Sequence, residues 1–277
     1  MVYKRILTIQ DISCLGQCSM TVALPILSAC GHETCILPVA MLSTHTGGFG
    51  EVHIRDLTED MPAVCAHWKR EGITFDAIHV GYLSSAKQIE HVLEVIVSLL
   101  APGGVCIVDP AFGDNGKLYA GIDEDHAAAV EWLCARADVL IPNLTEACML
   151  TGVEWKESFD EEELEALAEK LAEIGAKNVL LTGVERQPGQ TGVMLMRDGA
   201  FWHYSHNKTE KSYHGTGDIF AAAFTGAYLR GKYMEDAARI AADFTALCIW
   251  KTRHTPEHPY GVRFEAALPE LMEKLDL

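Results

Sequence analysis

The chain has 277 residues and a mass of 30.4 kDa, enough for one large α/β domain with a substantial core or for two small domains. With 22 Lys and Arg against 39 Asp and Glu, a formal net charge of -17 and an isoelectric point near 5.0, it is poorly suited to nucleic acid or an anionic membrane surface as its main partner. Any anion it binds must be held by local devices such as backbone N–H groups, helix starts or a divalent cation.

No N-terminal stretch has the order of a signal peptide and no apolar run reaches the length of a membrane span, so the expected location is the cytoplasm. Nine scattered cysteines fit reduced thiols. Cys14 and Cys18 resemble half of a metal site, but no second closely spaced pair completes it.

In chain order, short β-type runs alternate with amphipathic helical ones, the pattern of a mostly parallel sheet covered by helices. Strands are expected at Tyr3 to Ile9, Thr34 to Pro38, Ala77 to Val80, Val105 to Val108, Val139 to Ile141 and Val179 to Thr182. Helices are expected at Ser19 to Cys30, Leu57 to Arg70, Lys87 to Leu100, Asp125 to Arg136 and Asp160 to Ile174. Gly192 to Met196 and Ala200 to Ser205 then read as an antiparallel edge hairpin, in which His203 and His206 read as surface residues rather than ligands. Helical segments at Met234 to Lys251 and Phe264 to Leu275 close the chain, and no linker or repeat divides it, so one domain is expected.

The most informative junction precedes the Met234 helix. Gly215-Thr216-Gly217-Asp218 runs directly into the apolar, helix-forming stretch Ile219 to Phe224. Two glycines let the backbone approach a ligand and the helix start attracts an anion, while Asp218 is placed to take a proton from an attacking hydroxyl. The same residues are also acceptable turn chemistry, with Thr216 or Asp218 capping the helix.

Ligands of open α/β sheets bind beyond the carboxyl ends of strands, which draws attention to Gln10, Asp11, Thr44 to Gly48, Gly81-Tyr82, Asp109, Asp114, Asn143, Glu146 and Thr182 as residues that could line one crevice. Asp109, Asp114, Asn143 and Glu146 offer hard oxygens suited, directly or through water, to Mg²⁺ on nucleotide phosphates. Asn143 reads equally as a helix N-cap with Glu146 as its capping-box partner. Ala111 to Lys117 reads either as a closing loop or as a merely exposed one.

With these residues in view, the sequence resembles the pyridoxal/pyridoxamine kinases, the vitamin-kinase branch of the ribokinase superfamily. The resemblance spans nearly the whole chain through Ile9-Gln10, Ser43 to Gly47, Gly81-Tyr82, Asp109-Pro110 with Gly113-Asp114, Pro142-Asn143 with Glu146, and Gly215 to Asp218. It implies a ribokinase-like α/β fold, an open, mostly parallel sheet with helices on both faces and an antiparallel edge hairpin. The implied activity is ATP-dependent phosphorylation of the 5′-hydroxymethyl group of pyridoxal, pyridoxamine or pyridoxine. Asp218 would be the base, and the N–H groups of Gly215, Thr216 and Gly217 the anion hole. Asp109, Asp114, Asn143, Glu146 and Thr182 would lie around ATP, with Asp109 and Glu146 toward Mg²⁺. Asp11, Thr46, Gly47 and Tyr82 would contact the vitamer. A homodimer and a response to K⁺ are implied as well.

One departure stands out: the family usually has Ser after the Ile-Gln pair, where this chain has Asp11, an acceptor-only carboxylate. Asp11 reads either as a partner for a protonated group of the vitamer or as a cap on a nearby turn. Two further readings are a hydroxymethylpyrimidine or sugar kinase of the same superfamily, and a non-catalytic nucleotide or vitamer sensor.

Overall fold

A computed structural model describes residues 3–122, 124–209, 213–255 and 260–277. The chain begins with β1 (Arg5–Ser13), α1 (Met20–Ala29), β2 (Glu33–Leu42) and β3 (Ile54–Asp56). It continues through α2 (Met61–Arg70), β4 (Phe75–Val80), α3 (Ala86–Leu99), β5 (Leu100–Val108), a small hairpin β6 (Gly113–Asp114) and β7 (Lys117–Leu118), and α4 (Glu124–Cys134). Next come β8 (Val139–Leu140), α5 (Leu144–Thr151), α6 (Glu161–Ile174), β9 (Asn178–Val184), β10 (Gln190–Arg197) and β11 (Ala200–Asn207). Helices α7 (Thr216–Leu229) and α8 (Met234–Thr252), a short 3₁₀ turn (Phe264–Ala267) and α9 (Leu268–Lys274) complete it.

Two compact units result, one from Met1–Met61 with Thr209–Leu277 and one from Pro62–Lys208. In the first, β1 runs parallel to β2, and β3 returns antiparallel along the end of β2. Ile6, Leu7, Ile9, Leu37 and Val39 are fully or almost fully buried, as are Val22 and Ile26 of α1 and the run Ile219 to Phe224 of α7. The apolar α7 is therefore a core helix, which fixes its first turn rigidly.

The first strand starts two residues later and ends four residues later than the sequence suggests, at Ser13 rather than Ile9, so Gln10 and Asp11 lie within it. Local partners meet part of their need: Gln10 Nε2 donates to Thr8 Oγ1 at 2.8 Å while Gln10 Oε1 is buried without a partner, and Ser13 Oγ donates to Asp11 Oδ2 at 3.3 Å. The β1–β2 register breaks between Gln10 and Ile12, just beyond the pair Gln10–Pro38. Pro38 cannot donate to the ladder, and the break lets β2 run on to Leu42.

In the second unit β4, β5, β8 and β9 are mutually parallel, and β10 and β11 add the expected antiparallel hairpin at the edge. Asp198 and Gly199 turn that hairpin at φ 52° and 75°, the signs a two-residue primed turn requires.

Candidate active site

The first unit carries the Gly-Thr-Gly-Asp junction. Gly215 is the residue before α7 and adopts φ 79°, and a Cβ there would lie 2.0 Å from the Gln17 carbonyl oxygen, so no other residue fits. The first helical bond is Ile219 N–H to the Gly215 carbonyl at 3.0 Å, and no side chain caps the helix start. The capped-turn reading is thus not what forms: neither Thr216 nor Asp218 is an N-cap. Thr216 Oγ1 instead donates to the Tyr213 carbonyl at 3.3 Å. At Gly217 an added Cβ would meet nothing within 4 Å, so the helix start has open space on that side, and the N–H groups of its first turn have no intrahelical acceptor.

Asp218 is half-buried in that turn. Burial pushes its carboxyl up to about 7; Asp11 adds repulsion, and the nearby backbone N–H of Ser19 opposes both. Asp11, 4% exposed, is also raised by burial, against the pull of the nearby Ser19 and Ser13 hydroxyls. Cys18, beside both carboxylates, is pushed up to about 12 by burial and then by Asp218, which leaves a neutral thiol.

The segment after β2 reaches the same region. His45 Nδ1 accepts the Gly47 N–H at 3.0 Å, and its ring centroid lies 4.7 Å from that of His214. A Cβ on Gly47 would come 2.8 Å from both His214 Nε2 and His45 Cε1, so a larger residue there would have to displace these rings. Burial, then His214, lowers the proton affinity of His45. Thr46 is exposed in this segment. Asp11, Gly47, Gly215, Thr216, Gly217 and Asp218 are therefore accompanied by four residues that the sequence did not single out for the site: Gln17, Cys18, Ser19 and His214.

Since Asp218 binds its proton more tightly folded than at its ordinary value of 3.8, the folded state gains protons relative to the unfolded one as pH rises from there toward about 7. Its contribution to stability is fully present below the lower value and is lost through the upper one. Asp218→Asn is accordingly expected to be more stable than the wild type at pH 8, by a margin that closes toward pH 4. Thermal unfolding across that range reads it; a wild type at least as stable as the variant at pH 8 would contradict it.

The second unit holds the other set. Asn143 caps α5, its side chain accepting the Glu146 N–H at 3.0 Å while Glu146 Oε2 accepts the Asn143 N–H at 2.9 Å. The capping-box reading is what forms. Glu146 Oε1 also accepts the N–H groups of Phe112 at 3.1 Å and Gly113 at 3.4 Å, and Asn143 Nδ2 donates to the Gly113 carbonyl at 2.8 Å. Burial pushes this 1% exposed carboxyl up to about 8 against the pull of those donors.

Asn143 also bridges to Thr182, whose N–H donates to the Pro142 carbonyl at 3.0 Å. Asp109 is half-buried just past β5, its N–H held by the Val80 carbonyl at 2.9 Å, and Tyr82 is half-buried beyond β4. The segment 111–117 runs into the β6–β7 hairpin, turned by Asn115 and Gly116 at φ 51° and 73°. The Asn-Gly pair was a readable signal for it. Asp114 is exposed at its tip, accepting from the N–H and side chain of Asn115.

Glu146→Ala would leave two buried N–H groups and one half-buried one without an acceptor and is expected to cost about 3 kcal/mol of stability. Hydrogen exchange at Phe112 and Gly113 should accelerate with it; unchanged exchange would show that Glu146 does not fasten this hairpin.

His203, expected at the surface, has only 12% of its side chain exposed, with Nε2 3.6 Å from Glu161 Oε1. Among the described residues, Glu161, Glu165 and His203 form the one group of potential metal ligands within 4.8 Å of one another. Arg186 already pairs with Glu161 at 2.5 Å and brings positive charge to it. No helix among the described residues is long and apolar enough to cross a membrane.

The mostly parallel sheet with its edge hairpin and the glycine-bounded helix start are those of a ribokinase-like, ATP-dependent phosphotransferase. The chain matches the family model described as phosphomethylpyrimidine kinase over residues 28–261, and it belongs to that family. It is 30% identical over 218 residues to the hydroxymethylpyrimidine/phosphomethylpyrimidine kinase of Bacillus subtilis (strain 168), covering 77% of each chain. It is 28% identical over 263 residues to the pyridoxine/pyridoxal/pyridoxamine kinase of Bordetella avium (strain 197N), covering 90% of this chain and 85% of that one. Among solved structures, a candidate phosphomethylpyrimidine kinase from Bacteroides thetaiotaomicron VPI-5482, crystallised with pyridoxal, superposes with a TM-score of 0.91 at 34% identity, covering 99% of this chain and 96% of the other.

Proposed function

We propose that this kinase transfers the γ-phosphoryl group of ATP to the 5′-hydroxymethyl group of a B6 vitamer, pyridoxal, pyridoxamine or pyridoxine. The observation that carries the proposal is the position of Asp218, in the first turn of an uncapped helix with open space beside Gly217, with Asp11 nearby. The vitamer hydroxyl oxygen attacks the γ-phosphorus, its proton passes to Asp218, and the bond to the ADP oxygen breaks. The N–H groups of residues 215–217 receive the charge that develops on the phosphoryl oxygens.

Asp11 recognises a protonated group of the vitamer, with Thr46, Gly47 and Tyr82 at the ring. Asp109, Asp114, Asn143, Glu146 and Thr182 serve the nucleotide. The donor set of the second unit fits Mg²⁺ in one particular way. Both Glu146 oxygens already accept backbone N–H groups, so Asp109 would hold the ion directly and Glu146 through water. Mg²⁺ would neutralise charge on the phosphates. A homodimer and stimulation by K⁺ belong to the same proposal and are read by light scattering and by exchanging K⁺ for Na⁺.

The second reading is a hydroxymethylpyrimidine kinase, favoured by the family match and the Bacillus relative. A panel of pyridoxal, pyridoxine, pyridoxamine, hydroxymethylpyrimidine and ribose with ATP and Mg²⁺ separates the two. Asp11→Ser is expected to shift the preference among vitamers by about tenfold, because a charge-assisted hydrogen bond is replaced by a neutral one. Unchanged preferences would remove Asp11 from recognition.

A further inference from the structure

The backbone does not explain the glycine at position 47. Gly48 beside it adopts φ 82°, but Gly47 is not at positive φ, so its own conformation makes no demand for glycine. What excludes a side chain is a pair of histidine rings. An added Cβ would lie 2.8 Å from His214 Nε2, 2.8 Å from His45 Cε1 and 2.9 Å from His214 Cε1. The two rings also pack on each other, with centroids 4.7 Å apart and planes at 48°. His45 Nδ1 accepts the Gly47 N–H at 3.0 Å, a shorter contact than its 3.4 Å to the Gly47 carbonyl, so Nδ1 carries no proton. Both rings stand on fixed backbone. The His45 N–H donates to the Leu15 carbonyl at 2.8 Å, and a Cβ on Gly16 would lie 2.7 Å from His45 Cβ. His214 directly precedes Gly215, which rests on the Gln17 carbonyl. The Gln17 N–H donates in turn to the Tyr260 carbonyl at 3.3 Å, and the Tyr260 ring lies 6.0 Å from that of Phe49, two residues beyond Gly47. The segment 45–49 is thus held at both ends by the backbone that seats Gly215.

We propose that His214 is a positioning residue for the acceptor: its ring, packed against His45 and Gly47, fixes the segment that contacts the acceptor relative to the N–H groups of residues 215–217. The inference rests on the reading of Thr46 and Gly47 as acceptor contacts and of residues 215–217 as the anion hole. The His214 ring keeps the His45 ring turned so that Nδ1 meets the Gly47 N–H, and the missing Cβ of Gly47 lets the segment lie against both rings. Without the His214 ring the segment must be ordered by the acceptor itself, a cost taken from affinity. The anion hole does not depend on the ring, because Gly215 is seated on Gln17 and its carbonyl accepts the first helical bond, from Ile219 at 3.0 Å. Removing the ring should therefore weaken the hold on the acceptor and leave the transfer step nearly as it was.

The test measures kcat and the KM values for pyridoxal and ATP in the intact protein, in His214→Ala, in Gly47→Ala and in the double variant. His214→Ala should raise KM for pyridoxal by about three- to tenfold, the scale of one aromatic pair, with kcat and KM for ATP within about twofold of the wild type. Gly47→Ala should raise it further, since the new methyl group would press on both rings. The double variant should fall back below Gly47→Ala, because the space left by His214 lets the His45 ring yield. An unchanged KM for pyridoxal in His214→Ala, or single effects that add in the double variant, would overturn the inference. A wild type that phosphorylates hydroxymethylpyrimidine and not pyridoxal would instead sink the vitamer reading, and the same constants are then measured with the pyrimidine. A further arm needs no substrate. Nitrogen NMR of the His45 ring should show Nδ1 without a proton in the wild type and a mixture of tautomers in His214→Ala; ring resonances unmoved by the substitution overturn the inference whatever the acceptor. His214 is exposed, so alanine there removes nothing from the core. Should that variant not fold, Gly47→Ala decides, since unmoved His45 resonances in it overturn the inference equally.

Discussion

Asp218→Asn is expected to lower kcat by about 10²- to 10⁴-fold while leaving ATP affinity within about threefold of the wild type. Asparagine keeps the shape and the hydrogen-bond acceptor of the side chain at the start of α7 but cannot take a proton. The residues assigned to ATP, Asp109, Asp114, Asn143, Glu146 and Thr182, all belong to the second compact unit, whereas Asp218 belongs to the first. Loss of turnover should therefore separate cleanly from loss of nucleotide binding. Steady-state kinetics with pyridoxal and calorimetric titration with ATP measure the two quantities. A parallel fall in both would mean that the substitution disturbs the unit rather than the proton transfer.

Gly215→Ala is expected to destabilise the protein by about 3 kcal/mol and to remove most of the activity, for two separate reasons. The residue adopts φ 79°, and the new methyl group would lie 2.0 Å from the Gln17 carbonyl oxygen. Gln17 has little freedom to retreat. Its N–H donates to the Tyr260 carbonyl at 3.3 Å, its side chain donates to Glu265 at 2.6 Å, and Gly261 packs so closely that a Cβ there would be 2.6 Å from Gln17 Cβ.

Gly217→Ala is the control. Its methyl group would meet no protein atom within 4 Å, and alanine suits a helix better than glycine, so stability should hold or rise slightly while turnover falls. Urea unfolding of the two variants, set beside their turnover, separates the glycine that builds the helix start from the glycine that leaves room for a phosphoryl group. Equal stability losses would show that both positions are merely structural.

The alternation of strands and helices was legible because buried parallel strands and amphipathic helices have different periods, and the edge hairpin was legible from its own alternation. The capping box at Asn143 and Glu146 and the helix start at Gly215 were legible because each is a local device written in consecutive residues. Strand β1 was ended too early because Gln10 and Asp11 are polar, and only the fold shows that Thr8 and Ser13 bond to them. The parts of the site that escaped are long-range. Nothing in the order of residues says that His214 faces His45 or that Gly215 rests on Gln17. Glu146 was read as a metal ligand or a cap, and its further hold on Phe112 and Gly113 depends on a hairpin whose Asn-Gly turn was present in the sequence but not taken as one.

The most direct measurement is product formation from ATP, Mg²⁺ and either pyridoxal or hydroxymethylpyrimidine, run in parallel for the wild type and Asp218→Asn. Pyridoxal should be phosphorylated at its 5′-hydroxymethyl group by the wild type in clear preference to the pyrimidine, and at least about 100-fold more slowly by the variant. Preferred phosphorylation of the pyrimidine would assign the enzyme to the other substrate, and equal turnover of pyridoxal by both proteins would leave Asp218 without its role.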